Sequence, residues 1–204
     1  MLARQAYFGE ILAADPALAC VATGHHRDDQ IETVLMRLLR GSGLDGLRGI
    51  APRNGRVIHP LLGETRETIL AFLADRGQPW RFDRTNATDM ATRNRVRREL
   101  LPLLRDMFGA GAPGALSRRA DLAAADVDLL DTLTTDALAA VADPTAPGSL
   151  SVAQLNELPA ALARRVLRRW LAATAGLRED LGALHVESVR LWLARGQSGQ
   201  GLDL

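Results

Sequence analysis

The nine residues His25–Thr33 hold two histidines, three carboxylates and a glutamine. They stand between a short apolar run, Leu18–Ala22, and a patterned segment that follows. The run contains Cys20 and Val21, is short enough for a buried parallel strand, and ends in the small residues Thr23 and Gly24. From Arg27 the apolar positions are Ile31, Val34, Leu35, Leu38 and Leu39, the spacing of a helix with one buried stripe. So many polar groups at a strand-to-helix junction cost stability unless they bind something. In α/β folds the carboxyl end of a strand is where ligands sit.

A plain alternative is a well-charged helix start. Asp28, Asp29 and Glu32 fall in the first two turns, where carboxylates suit the helix dipole, and Asp28 and Glu32 share a face. That reading leaves the adjacent histidines His25 and His26 unexplained. A structural zinc site is disfavoured: no HExxH spacing occurs, and Cys20 is the one cysteine. No protein-built metal site is expected. Magnesium shared with the phosphates of a nucleotide suits carboxylates better.

Periodicity predicts helices over Leu2–Ala14, Arg27–Arg40 and Thr65–Asp75, the last capped by Thr65 and ended near Gly77. Strands are expected at Leu18–Ala22 and Arg56–Leu62, and irregular polar chain over Arg81–Met90. A helix from Thr92 to about Met107 should kink at Pro102. Gly109–Gly114 reads as a linker, after which the pattern is purely helical. Leu122, Leu129, Leu130, Leu133 and Leu138 would line one long helix from about Ser117. Ser151 and Gln154 suggest a capping box. Leu162, Val166, Trp170 and Leu171 would line the next helix, ended by Gly176, and Val186, Val189 and Leu193 the last.

At 47% hydrophobic and 24% charged, 204 residues can bury a real core. One cysteine rules out a disulfide framework and points to a reducing compartment. No apolar stretch reaches the length of a membrane span, and no signal peptide is visible. The net charge of +1 carries no nucleic-acid signal, although all 25 basic residues are arginine, the better phosphate fork. A GC-rich coding bias favouring arginine and alanine explains that better than selection for RNA binding. Arg93 and Arg97, four apart, could address one phosphate; the alternative is surface pairing with Asp83 or Asp89. Arg164, Arg165, Arg168 and Arg169 form a basic face opposite Leu162 and Trp170, suited to an RNA backbone or simply to solvent.

Several of these segments carry a resemblance. HHRDDQIET (25–33) followed by RGSGLDGL (40–47) resembles the HHxxDQxET and RGxGxxGL motifs of the tRNA(Ile)-lysidine synthetases, which belong to the PP-loop (N-type ATP-pyrophosphatase) superfamily. His59-Pro60-Leu61-Leu62 with Arg66 fits the linking PLL…R piece. Trp80, Asp83 and Asn86, then Arg93-Asn94-Arg95-Val96-Arg97 with Leu101-Pro102, resemble the W-x-x-D-x-(S/T)-N and RNxxR-x-x-LLP segments. Three motifs in order over about ninety residues make the match specific.

The resemblance implies an α/β fold: part of the parallel sheet of a PP-loop ATPase (adenine nucleotide alpha hydrolase-like), followed by an all-helical domain. Residues 1–108 would be the C-terminal part of the catalytic domain, 109–115 a linker, and 116–204 a helical tRNA-binding or connector domain. It implies a cytoplasmic ligase that adenylates carbon 2 of the wobble cytidine of tRNA(Ile) and lets the ε-amine of free lysine displace AMP, giving lysidine. Its partners would be ATP with Mg2+, lysine and tRNA(Ile), with room for a homodimer. Asp29 ranks first among the catalytic candidates, with Asp28 and Glu32 beside it. His25, His26, Arg40, Arg93, Asn94 and Arg97 are candidates for nucleotide or tRNA binding.

The sequence departs from the family at one point. The phosphate loop SGGxDS does not occur in the 204 residues. Gly41, Gly43, Gly46 and Gly49 follow a helix rather than open one, so they do not replace it. The expectation is a piece of the enzyme, truncated at both ends or started at the wrong codon, that by itself turns over little ATP. Two other readings stay open: a PP-loop tRNA thiolase, which the lone Cys20 disfavours, and a non-catalytic tRNA-binding fragment.

Overall fold

The computed structural model describes residues 2–80, 90–174 and 182–196. Two compact units divide between Ala125 and Asp126.

In the first unit, α1 (Leu2–Ala14) leads to β1 (Val21–Ala22), then α2 (Arg27–Leu39) and the short α3 (Leu44–Leu47). Strands β2 (Arg53–Asn54) and β3 (Val57–Ile58) form a two-residue hairpin, with Gly55 at φ 58 as the first loop residue. The sheet order is β1-β3-β2. β1 and β3 are parallel, pairing Val21 with Val57 and Ala22 with Ile58; β2 and β3 are antiparallel. The expected strands shrink to two residues each. Upstream of β1 the chain is held otherwise: the Arg56 guanidinium donates to the carbonyls of Leu18 and Ala19. β2 was not anticipated, because Arg53 and Asn54 show no apolar alternation.

Helix α4 (Arg66–Asp75) begins at its Thr65 cap, whose hydroxyl accepts from the Thr68 N–H at 3.0 Å, and Gly77 follows at φ 61. The stretch expected as one kinked helix is three pieces: α5 (Met90–Arg95), a π-helical turn over Val96–Leu100, and α6 (Leu101–Phe108). Pro102 sits in the first turn of α6, where its missing N–H costs least. The irregularity is therefore the wide turn before it rather than a kink at it. The core of this unit joins Ile31 and Leu35 of α2 to Val96 and Leu101. Asp83, Asn86, Asp89 and Gly176 lie outside the described residues.

Helix α7 (Ala112–Val141) begins five residues before the expected Ser117 and takes in Pro113 and Gly114. Its buried stripe is also different. Ala120, Ala123, Val127, Thr134, Ala137 and Val141 are buried, whereas Leu122, Leu129 and Leu133 are exposed. Small side chains let neighbours approach closely, and burial follows that fit rather than hydropathy.

The second unit packs α8 (Val152–Glu157), α9 (Ala160–Thr174) and α10 (Ala183–Ala194) with the end of α7 around Val141, Leu155, Val166, Leu167, Leu171, Val186 and Val189. Ser151 caps α8 by accepting from the Gln154 N–H at 3.4 Å. Among the described residues this unit is helical, with one isolated bridge between Ala142 and Leu150. Trp170 is at the rim of the core, its indole N–H donating to the Gly148 carbonyl at 2.7 Å. No described helix is long and apolar enough to cross a membrane.

Candidate active site

The parallel strands β1 and β3 end at Ala22 and Ile58, and a cavity of about 460 Å³ opens at the end of β3. It is lined by Arg27 and Gln30 from the first turn of α2, Ile58 and His59 after β3, and Ser117 and Asp121 of α7. This is the place where α/β sheets bind ligands.

Backbone hydrogen bonds fix the start of α2. The Arg27 N–H donates to the Glu64 carbonyl at 2.7 Å and the Arg27 guanidinium to the Gly63 carbonyl. Asp28 accepts from the N–H of Arg66, the first residue of α4, at 2.8 Å. Asp29 reaches back to the His26 N–H at 3.0 Å, half of a capping box.

His25 and His59 face each other with ring centroids 5.0 Å apart. The Thr23 hydroxyl is 2.9 Å from Nδ1 of His25. Nδ1 of His59 lies 2.8 Å from the Ala51 carbonyl, which can only accept, so that nitrogen carries the proton. In the neutral ring Nε2 of His59 is then an acceptor beside the cavity.

Helical geometry turns Asp28, Asp29 and Glu32 away from that lining and into a web of cations. His26 lies between two carboxylates, with Nδ1 3.4 Å from Asp28 and Nε2 3.3 Å from Asp29. Asp28 holds the His26 imidazole above its ordinary value, and Asp29 adds to the effect. In return His26, together with the Arg66 N–H, pulls the Asp28 carboxyl down to about 2.

Glu32 has no exposed surface, and two arginines bracket it. Nε of Arg97 donates to it at 2.6 Å, and Nε of Arg93 is 3.4 Å away. The second contact lacks hydrogen-bond geometry, leaving Glu32 Oε2 and Arg93 Nε buried and unsatisfied. Burial raises the Glu32 carboxyl, and Arg97 is the main opposing pull. Arg93 also donates to the Thr33 hydroxyl at 3.0 Å, and Arg97 approaches Asp29 at 3.5 Å. The two guanidiniums that are candidates for a phosphate thus also bind α2. The web joins Asp29, Glu32, Arg93 and Arg97, with His26 and Asp28 at its edge and Asn94 half-buried on α5 beside Arg93.

Arg40 stands apart, exposed at the far end of α2, roughly 20 Å from the first turn at 1.5 Å per residue. Among the described residues no group of three or more His, Cys, Asp or Glu converges to hold a metal. The residues that line the cavity, Arg27, Gln30, His59, Ser117 and Asp121, were not among the candidates. Ser117 and Asp121 lie far along the chain in a helix whose burial pattern misleads. His59 was visible only as part of HPLL.

Gln30 and the glycines have a structural task. The Gln30 carboxamide accepts from the Ile50 N–H at 2.5 Å and donates to the carbonyls of Arg48 and Ile50 at 3.2 Å. Arg37 donates to the Gly49 carbonyl at 2.6 Å. Gly49 has φ 64, and a Cβ there would run into the Gln30 carboxamide. Gly49→Ala is therefore expected to cost about 2 kcal/mol or more, from left-handed backbone strain and displaced hydrogen bonds. Equilibrium urea unfolding measures it; a loss under about 0.5 kcal/mol would show that the turn relaxes freely.

Comparison with known proteins fits this geometry. The family model for the PP-loop domain matches residues 3–104, from α1 through the web to α6. The chain belongs to the PP-loop family. The α2 web lies within the matched residues, as does the cavity lining except for Ser117 and Asp121. A model of the TilS substrate binding domain matches residues 150–204. Relatives include three proteins named tRNA(Ile)-lysidine synthase. That of Symbiobacterium thermophilum is 39% identical over 99% of this chain and 45% of its own length. That of Streptomyces coelicolor is 41% identical over 93% and 54%, and that of Nocardia farcinica 40% over 97% and 60%. The chain spans about half the length of the relatives it matches.

Proposed function

We propose that the protein carrying this chain joins lysine to the wobble cytidine of tRNA(Ile), through an adenylated cytidine, to form lysidine. The observation that carries this reading is the match of nearly the whole chain, at about 40% identity, to proteins of that name. The geometry supports it with a strand-end cavity beside a carboxylate–arginine web.

ATP, when bound, supplies the adenylyl group that makes the oxygen on carbon 2 a leaving group. Arg97 suits a phosphate: it is 43% exposed and commits Nε and one Nη to carboxylates, keeping other N–H donors for a ligand. Magnesium finds no cage of this chain's described carboxylates, which face arginines and N–H groups instead, so no step here depends on it.

Asp29 is the carboxylate best placed to take the lysine ammonium. Its contact with Arg97 is long, at 3.5 Å, so an incoming ammonium can compete for it. The same carboxylate can then take the proton that the ammonium must lose before the amine attacks. Glu32 acts through others: fully buried between Arg93 and Arg97, it positions both. Held together, the reactants gain most from proximity. The reading places the reaction in the cytoplasm and leaves room for a homodimer.

Incubating the full-length protein that carries this chain, rather than residues 1–204 alone, with ATP, radiolabelled lysine and a tRNA(Ile) transcript tests it. Label should enter that transcript and should not enter one whose wobble cytidine is replaced by uridine. Equal labelling of both, or of neither, would overturn the reading.

A further inference from the structure

His26 presents both ring nitrogens to carboxylates, Nδ1 at 3.4 Å from Asp28 and Nε2 at 3.3 Å from Asp29. A neutral imidazole carries one N–H, so either tautomer would set a lone pair against a carboxylate. The position therefore suits the imidazolium. Both His26 and Asp29 are mostly buried, so salt screens this pair weakly.

The contacts are loose. Charge-assisted hydrogen bonds close to about 2.7–2.9 Å. Nδ1 of His26 is buried and makes no hydrogen bond among the described residues. Asp29 meets its other cation, Arg97 of the π turn, at 3.5 Å, and its one short contact is the His26 N–H. Asp28 is fixed differently: the backbone N–H of Arg66, at the start of α4, donates to it at 2.8 Å. Asp28, Asp29 and Arg97 are the charged groups that act on His26. Of the two carboxylates, Asp29 is the one free to exchange its cation.

The ε-ammonium of lysine has the charge of the imidazolium and three donors on a compact head, so it can reach Asp29 at full hydrogen-bond distance. Its arrival takes one of two carboxylates from His26 and sets a like charge beside the ring. Both changes favour the neutral imidazole.

We propose that the His26 imidazolium occupies the seat of the lysine ammonium on Asp29 and gives up its proton when lysine binds, so that His26 is a positioning residue and the seat opens with rising pH. The inference rests on the reading above in which Asp29 takes lysine. Its test measures binding alone, without ATP or tRNA.

Asp28, with Asp29 adding to it, holds the His26 proton above the ordinary value of 6.5. Below the raised value the imidazolium fills the seat; above it the ring is neutral and Asp29 is open. Between pH 6 and 8 the ε-ammonium keeps its charge, and histidines are the side chains that titrate. One linked proton changes an affinity by at most about tenfold per pH unit.

Equilibrium dialysis of radiolabelled lysine against the full-length protein that carries this chain, at pH 6, 7 and 8, tests the proposal. Affinity should rise roughly tenfold from pH 6 to pH 8. His26→Asn should flatten that profile and bind lysine more tightly than the unaltered protein at pH 6, a gain that a damaged fold cannot give. Asparagine is a favoured N-cap, so the start of α2 is kept. Asp28→Asn retains an acceptor for the Arg66 N–H but removes the main support of the His26 proton, and should move the profile to lower pH. Thermal melting monitors the fold of each variant. A flat profile in the unaltered protein overturns the proposal. So does an unchanged slope in His26→Asn, which would assign the titration to another group such as His25 or His59. Absence of lysine binding at every pH overturns it together with the lysine seat on Asp29. If label never enters tRNA(Ile) while the profiles shift as described, the lysidine reading falls and the proton-linked seat stands.

Discussion

Glu32→Ala is expected to lower the melting temperature by roughly 8 °C. The carboxylate is fully buried, and its removal leaves Arg93 and Arg97 without their shared anion. Breaking a buried pair from one side costs about 3–5 kcal/mol. The lower end applies here, about 3 kcal/mol, because Arg93 and Arg97 are 34% and 43% exposed and can turn partly to water. Glu32→Gln keeps the shape but sets an amide N–H against a guanidinium, and should recover only part of the loss. Arg97→Ala leaves Glu32 buried beside Arg93 alone, so Glu32→Ala with Arg97→Ala should cost clearly less than the sum of the two. Thermal and urea unfolding of the four proteins decide it. Additive effects, or a Glu32→Ala protein melting within about 2 °C of its parent, would mean that the web contributes nothing to folding.

The sequence made α2 and α4 legible because each states its own rules locally. Ile31, Val34 and Leu35 recur at helical spacing, and Thr65 and Gly77 mark the two ends of α4. The strand-end location of the polar cluster followed from the same local pattern. What was hidden depends on partners distant in sequence. Arg93 and Arg97 are 60 or more residues from Glu32 and Thr33, so spacing alone could pair them equally with a phosphate or with Asp83 and Asp89. The π turn at Val96–Leu100 changes hydrogen-bond register without a signature residue; Pro102 was the visible irregularity, and it fits the first turn of α6 without strain. On α7 the leucines are the stronger hydrophobic signal, yet alanines, valines and Thr134 form the buried stripe. Thr134 is tolerated in that stripe because its hydroxyl is satisfied, donating to the Leu130 carbonyl at 2.6 Å. The cavity escaped notice for a related reason: Asp121 and Ser117 on α7 meet His59 only through the fold.

On the proposed reading, Asp29→Asn in the full-length protein that carries this chain should reduce lysine incorporation into tRNA(Ile) by about 100-fold in kcat/KM while leaving the fold intact, a loss typical of removing one preorganised electrostatic partner. Retention of the fold follows from local geometry. The Oδ atom that accepts from the His26 N–H is supplied equally by asparagine, so the helix start keeps its cap. The web retains Glu32 as the main anion for Arg97, at 2.6 Å against 3.5 Å for Asp29. What disappears is the negative charge an ammonium needs and the base that can take its proton. The proposed mechanism therefore places the deficit on lysine: its KM should rise and kcat should fall, while the KM for ATP stays near that of the parent. Arg97→Ala is the informative contrast, since it leaves Asp29 charged but strips the phosphate partner and unbalances Glu32; it should lose stability as well as activity. Steady-state incorporation at varied lysine and at varied ATP, with thermal melting alongside, separates the two. An Asp29→Asn protein with a normal KM for lysine and a raised KM for ATP would move Asp29 from the amine to the nucleotide, and near-normal turnover would reduce it to a helix cap.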